Sequence, residues 1–70
     1  MMLTIHEGRY DAAYTPDHTD GEGAMLVISY RDKGGTVLRG PLAAEWAGHI
    51  FAALDAGEAN ALCRAVYQRN

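Results

Sequence analysis

The alternation of apolar and polar residues in the first part of the chain predicts β-strands. Residues 3–6 read Leu-Thr-Ile-His, which is typical of a short strand with one buried face. A weaker pattern predicts a second strand over 9–15. Residues 24–30 give the strongest pattern, because 25–28 (Met-Leu-Val-Ile) are apolar at every position. That run predicts a central strand covered on both faces.

Turn-forming residues separate these segments. Residues 16–23 are dense in Pro, Asp and Gly, which predicts an exposed loop. Residues 32–35 read Asp-Lys-Gly-Gly, and we expect a hairpin turn there in which the glycines adopt positive φ. Residues 36–39 are then the partner strand, which ends at the Gly-Pro pair of positions 40 and 41.

The apolar spacing becomes helical after Pro41, a residue that suits the first helical position because its missing N–H needs no partner there. We expect one helix over 41–54, with a wide apolar arc. A second helix over 56–69 shows the ordinary amphipathic spacing, with apolar residues at 59, 62, 63, 66 and 67. The pair predicts an αα-hairpin.

The corner between the two helices has its own sequence pattern. Asp55 and Glu58 have the spacing of an N-cap and an N3 residue, so a capping box is predicted at the start of the second helix. Gly57 provides the backbone freedom that a corner requires.

These elements together predict an α+β fold, in which a small antiparallel β-meander of three or four strands is followed by an αα-hairpin packed on the sheet. We expect a single domain over 1–70, with a β-rich half (1–39) and a helical hairpin (41–69). At this size one core is marginal, and if the helices cover only one face of the sheet, the apolar residues of 25–28 on the other face need a second cover, from sheet-to-sheet or edge-to-edge pairing. A homodimer through the sheet is therefore expected.

Composition narrows the functional classes. The net charge is −3, and the acidic excess lies in residues 1–35, where six acidic residues oppose three basic ones. No basic footprint for nucleic acid is evident, so a nucleic-acid partner is not expected. Cys63 is the only cysteine and lies on the apolar arc of the second helix, which indicates a core position. A lone thiol without a signal peptide or a membrane-spanning run predicts a cytoplasmic protein.

The leading functional prediction is a non-enzymatic protein-binding module, either a regulator or an inhibitor, that blocks a surface on a larger protein. This class includes virus-encoded inhibitors of host complexes. The acidic part of the exposed loop, residues 17–22, would steer association with a basic patch on the partner. Exposed aromatic and arginine side chains would supply contact energy. No cofactor or metal is expected. The predicted partner-binding residues are Asp17, Asp20, Glu22, Tyr30, Arg39 and Trp46.

A second hypothesis is a DNA-binding transcriptional regulator that uses the helical hairpin. The exposed positions of the second helix would then read DNA. Those positions are Asn60, Ala61, Arg64 and Gln68. Only Arg64 and Arg69 could neutralise phosphates there, which makes a weak DNA-binding face.

A third hypothesis is a small metal-dependent enzyme. Its ligands would be His6, His18 and His49 with nearby carboxylates. The spacing of these histidines matches no specific metal motif, and at least two of them would have to converge in the fold.

Overall fold

A computed structural model describes residues 2–16, 23–31, 33–54 and 57–69. Its four strands form one antiparallel sheet in which each strand pairs with the next in the chain, and two helices follow. The predicted α+β meander with a helical hairpin is confirmed. The elements are β1 (Leu3–Glu7), β2 (Tyr10–Thr15), β3 (Met25–Tyr30), β4 (Gly35–Arg39), α1 (Pro41–Ala52) and α2 (Ala59–Tyr67).

The core lies between the helices and one face of the sheet, which we call the inner face. Alternate residues of β3, Leu26 and Ile28, are fully buried there. Opposite them, the helices contribute mostly small side chains, which lets the helices approach the sheet closely. The buried helical residues are Ala43, Ala47 and Ile50 of α1 with Ala59, Cys63 and Val66 of α2.

The outer face of the sheet carries the intervening residues. Ala13, Val27 and Val37 form one row across three strands. Val37 remains 44% exposed, whereas Val27 is half-buried. The interior position of β3, between β2 and β4, is as predicted. Among the described residues, helices cover the inner face of the sheet and not its outer face. The homodimer expected from the apolar outer face stays a prediction.

The predicted conformation of the β3–β4 turn is wrong. Gly34 and Gly35 do not adopt positive φ, and Arg31 takes the left-handed conformation instead, with φ 54°. The Arg31 N–H donates to the Arg9 carbonyl at 2.9 Å, which ties this turn to the β1–β2 turn. Gly35 is required for space, because a Cβ there would lie 2.8 Å from the carbonyl oxygen of Ile28.

The predicted capping box is also wrong. Helix α2 begins at Ala59, so Glu58 occupies the N-cap rather than N3, and its side chain makes no capping hydrogen bond. Asp55 lies outside the described residues. Gly57, at φ 74°, ends the preceding turn: its N–H donates to the Leu54 carbonyl, and the Glu58 N–H donates to the Ala53 carbonyl. This pairing is a Schellman motif, and it closes the α1 side of the corner.

Candidate functional site: an arginine–tyrosine cleft

A cleft of about 580 Å³ opens where the β1–β2 turn, the end of β3 and the outward side of α2 meet. We call it the arginine–tyrosine cleft. Its volume is in the range of small-ligand and peptide-anchor pockets. The lining residues are Gly8, Arg9, Tyr10, Tyr30, Asn60, Arg64, Tyr67 and Gln68.

Three tyrosines form the floor of the cleft. Tyr10 and Tyr30 are paired across β2 and β3, and their ring centroids lie 5.0 Å apart. Tyr67 approaches from the end of α2, with its ring centroid 5.8 Å from Tyr10 and 5.9 Å from Tyr30. These tilted and edge-on contacts are the favourable geometries for aromatic rings. The Thr36 hydroxyl donates to the Tyr67 carbonyl at 3.0 Å, which fixes the end of α2 against β4.

A side-chain hydrogen bond joins the β1–β2 turn to α2. The Asn60 amide donates to the carbonyl oxygen of Glu7 at 2.7 Å. Gly8, the next residue, has φ 65°, and a Cβ there would overlap the Asn60 amide. Glycine therefore satisfies both the backbone conformation and the close approach. The bond fixes the backbone of the β1–β2 turn, which carries Arg9, against α2.

Two arginines rim the cleft. Arg9 is exposed on the β1–β2 turn, and its Nη1 donates to the Tyr30 hydroxyl in a long hydrogen bond of 3.5 Å. Arg64 is exposed on α2. Among the described residues, neither guanidinium pairs with a carboxylate. The Asp11 carboxylate, on the outer face of the sheet, hydrogen-bonds His6 instead. The rim therefore presents two donor groups without an anionic partner.

Tyr30 lies in a positive electrostatic environment. The hydrogen bond from Arg9 is the main cause that lowers the pKa of the Tyr30 phenol below its usual value of 10.0, and the charges of Arg31, Arg9 and Lys33 act in the same direction against the opposing effect of desolvation. The Arg31 guanidinium also lies over the Tyr30 ring, 5.6 Å from its centroid. Cations on two sides thus favour negative charge at this position.

The predicted partner-binding residues are not brought together. Tyr30 lines the cleft, whereas Arg39 is exposed on the outer face of β4. Trp46 is half-buried on α1, where its ring contacts His49 edge-on and lies 5.9 Å from the Arg69 guanidinium. The remaining three residues, Asp17, Asp20 and Glu22, lie outside the described part of the chain.

Sequence reasoning missed Arg9 and assigned Arg64 to the DNA-binding hypothesis. The one available signal was the presence of an arginine beside the Gly8 turn and a tyrosine at each of positions 10 and 30. That these residues form one site becomes evident only from the strand register, which places Tyr10 opposite Tyr30.

The histidines do not converge in the described structure. His6 is on the outer face of β1, where it hydrogen-bonds Asp11, and His49 is exposed on α1. His18 lies outside the described residues. Within the described part of the chain, no group of three or more His, Cys, Asp or Glu side chains could hold a metal ion.

Cys63 is fully buried in the core, as predicted. Burial, together with the nearby charge of Glu7, raises the pKa of its thiol to about 11. A thiol with a raised pKa is a poor nucleophile at neutral pH, so a packing role accounts for it.

Comparison of the chain with protein-family models, curated proteins and solved structures found no match. Neither described helix is both long and apolar enough to cross a membrane. The protein is thus described by its own structure: a four-stranded antiparallel sheet followed by two helices, with the arginine–tyrosine cleft between the β1–β2 turn and α2.

Proposed function

We propose that this protein is a non-enzymatic, cytoplasmic protein-binding module, a regulator or inhibitor that acts by occupying a surface on a larger protein. The proposal is carried by the arginine–tyrosine cleft. Tyrosine and arginine are the residue types most enriched, with tryptophan, among the side chains that dominate binding energy at protein interfaces. Here Arg9 and Arg64 flank three tyrosines around one concavity.

The composition of the cleft favours binding over acid–base chemistry. Its lining consists of Gly, Arg, Tyr, Asn and Gln, and none of these lining residues is a carboxylate, an imidazole or a thiol. Arg64 has no anionic partner among the described residues, and Arg9 contacts a phenol rather than a carboxylate. Guanidinium groups in this state are available to a partner without first breaking an internal ion pair.

The DNA-binding hypothesis draws less support. Asn60, one of its reading residues, already donates to the Glu7 carbonyl, and Gln68 lines the cleft beside Arg64. One of the four predicted reading residues is therefore already engaged by the β1–β2 turn, which weakens this use of α2.

Capture of a partner from native host lysate tests the proposal. Tagged wild-type protein is compared with the double variant Arg9→Gln/Arg64→Gln, and Lys33→Gln is the control because it removes a positive charge from an exposed residue that does not line the cleft. We expect wild type and control to capture the same stoichiometric protein and the double variant to lose it. Thermal unfolding verifies that all three chains fold. Equal capture by the folded double variant would refute the assignment of binding to the cleft.

A further inference from the structure

We infer that the arginine–tyrosine cleft recognises an acidic linear segment of its partner, with side-chain carboxylates on either side of an apolar or aromatic residue. This inference rests on the proposed function and names the chemistry that the cleft takes. It differs from the expectation of a basic partner surface, which came from the acidic loop over 16–23.

Carboxylates match the rim of the cleft. Arg9 projects from the β1–β2 turn and Arg64 from α2, so the two guanidiniums stand on different walls of one concavity. Each planar guanidinium can donate two parallel hydrogen bonds to one carboxylate. The Tyr30 hydroxyl accepts from Arg9 and keeps its own proton to donate. A segment with two carboxylates would therefore meet donors at both ends of the cleft.

The floor of the cleft suits an apolar side chain between those carboxylates. Tyr10 is only 6% exposed and forms the base, while Tyr30 and Tyr67 are half-buried and present ring surface to the opening. An aliphatic or aromatic side chain placed on these rings would bury apolar area. Asn60 uses one of its two amide N–H groups for the bond to the Glu7 carbonyl.

A nucleic acid fits this surface less well. A polyanion gains affinity from a track of several cations, whereas the cleft offers two. A short acidic segment needs only the two arginines.

The test uses the peptide Gly-Glu-Phe-Glu-Gly-amide with fluorescein coupled to its N-terminal amine, and its matched peptide with Gln in place of both Glu, each titrated with the full chain by fluorescence anisotropy. The Glu peptide should bind about a hundredfold more tightly than the Gln peptide at low salt, because it makes two charge-assisted pairs and each is worth about one decade in affinity. Arg9→Gln and Arg64→Gln should each weaken Glu-peptide binding by about tenfold. Lys33→Gln, at an exposed residue that does not line the cleft, should leave it unchanged, and added salt should weaken it.

Two results would overturn the inference. Equal binding of the Glu and Gln peptides, including no binding of either, would show that carboxylates are not recognised. Tighter binding of a labelled thymidine decanucleotide, with the same dependence on Arg9 and Arg64, would reassign the cleft to single-stranded nucleic acid. Lysate capture keeps the two proposals apart: a captured protein that depends on the cleft but is not displaced by the Glu peptide would refute the acidic ligand and retain the binding module.

Discussion

At the scale of single residues, Tyr30 connects the fold of the cleft to its chemistry. Its position in β3 places the ring against Tyr10 and Tyr67, and its hydroxyl reaches Arg9. Tyr30 was predicted from the sequence as a partner-binding residue because tyrosine is frequent at interfaces. The structure adds a local reason, which is the set of cations that surrounds the phenol.

The ionisation of Tyr30 gives a direct test of that environment. Carbon-13 NMR of the Tyr30 Cζ should give a pKa below 10.0, and Arg9→Gln should raise it toward the usual value because the hydrogen bond from Arg9 is the largest cause of the shift. Lys33→Gln should have a smaller effect, since Lys33 contributes only a weak long-range interaction. An unchanged pKa in Arg9→Gln would show that Arg9 does not contact the phenol.

The sign of the accompanying stability effect follows from linkage. A lowered pKa means that the folded state favours the ionised phenol, so unfolding becomes less favourable as pH rises toward and above 10. This contribution disappears as pH falls through the folded-state pKa of Tyr30, and it is absent at neutral pH. Ionisation of Cys63 in the unfolded chain opposes it above pH 9, because burial raises the folded-state pKa of that thiol.

At the scale of elements, the corner between α1 and α2 shows how far the sequence could be interpreted. The presence of two helices, the first helical residue Pro41 and the corner glycine were all predicted and are confirmed. Taken without the rest of the fold, the spacing of Asp55 and Glu58 fits a capping box as well as it fits the corner that the structure shows. The backbone forms a Schellman motif at Gly57 instead, and α2 begins at Ala59 rather than at the predicted residue 56. Local spacing alone does not distinguish these two uses of the segment.

Two glycine substitutions test the corner as a matched pair. Gly57→Ala should destabilise the protein by about 1 kcal/mol, because alanine strongly disfavours the positive φ found there. Gly48→Ala, in the exposed middle of α1, should stabilise it by about 0.5–1 kcal/mol, because a Cβ there meets no other atom within 4 Å and alanine is the better helix former. Chemical denaturation measures both. A Gly57→Ala variant as stable as wild type would show that the left-handed corner is absent.

At the scale of the whole molecule, the fold was predictable and the cleft was not. Strand order and helix placement follow from apolar periodicity and turn residues, which are local in sequence. The cleft depends on contacts between residues far apart in the chain, such as Asn60 with Glu7 and Tyr10 with Tyr67. Only the pairing of β2 with β3 and the docking of α2 bring these groups together, so a chain of acidic net charge acquires a basic, aromatic concavity.

The footprint of the captured partner on nitrogen-15-labelled protein tests the central claim most directly. Amide chemical-shift changes and cross-saturation should concentrate on Gly8, Arg9, Tyr30, Arg64 and Gln68, which line the cleft. A footprint centred on Val27 and Val37 of the outer face, or on Leu42 and Trp46 of α1, with the cleft unaffected, would contradict the account and move the binding surface elsewhere on the same fold.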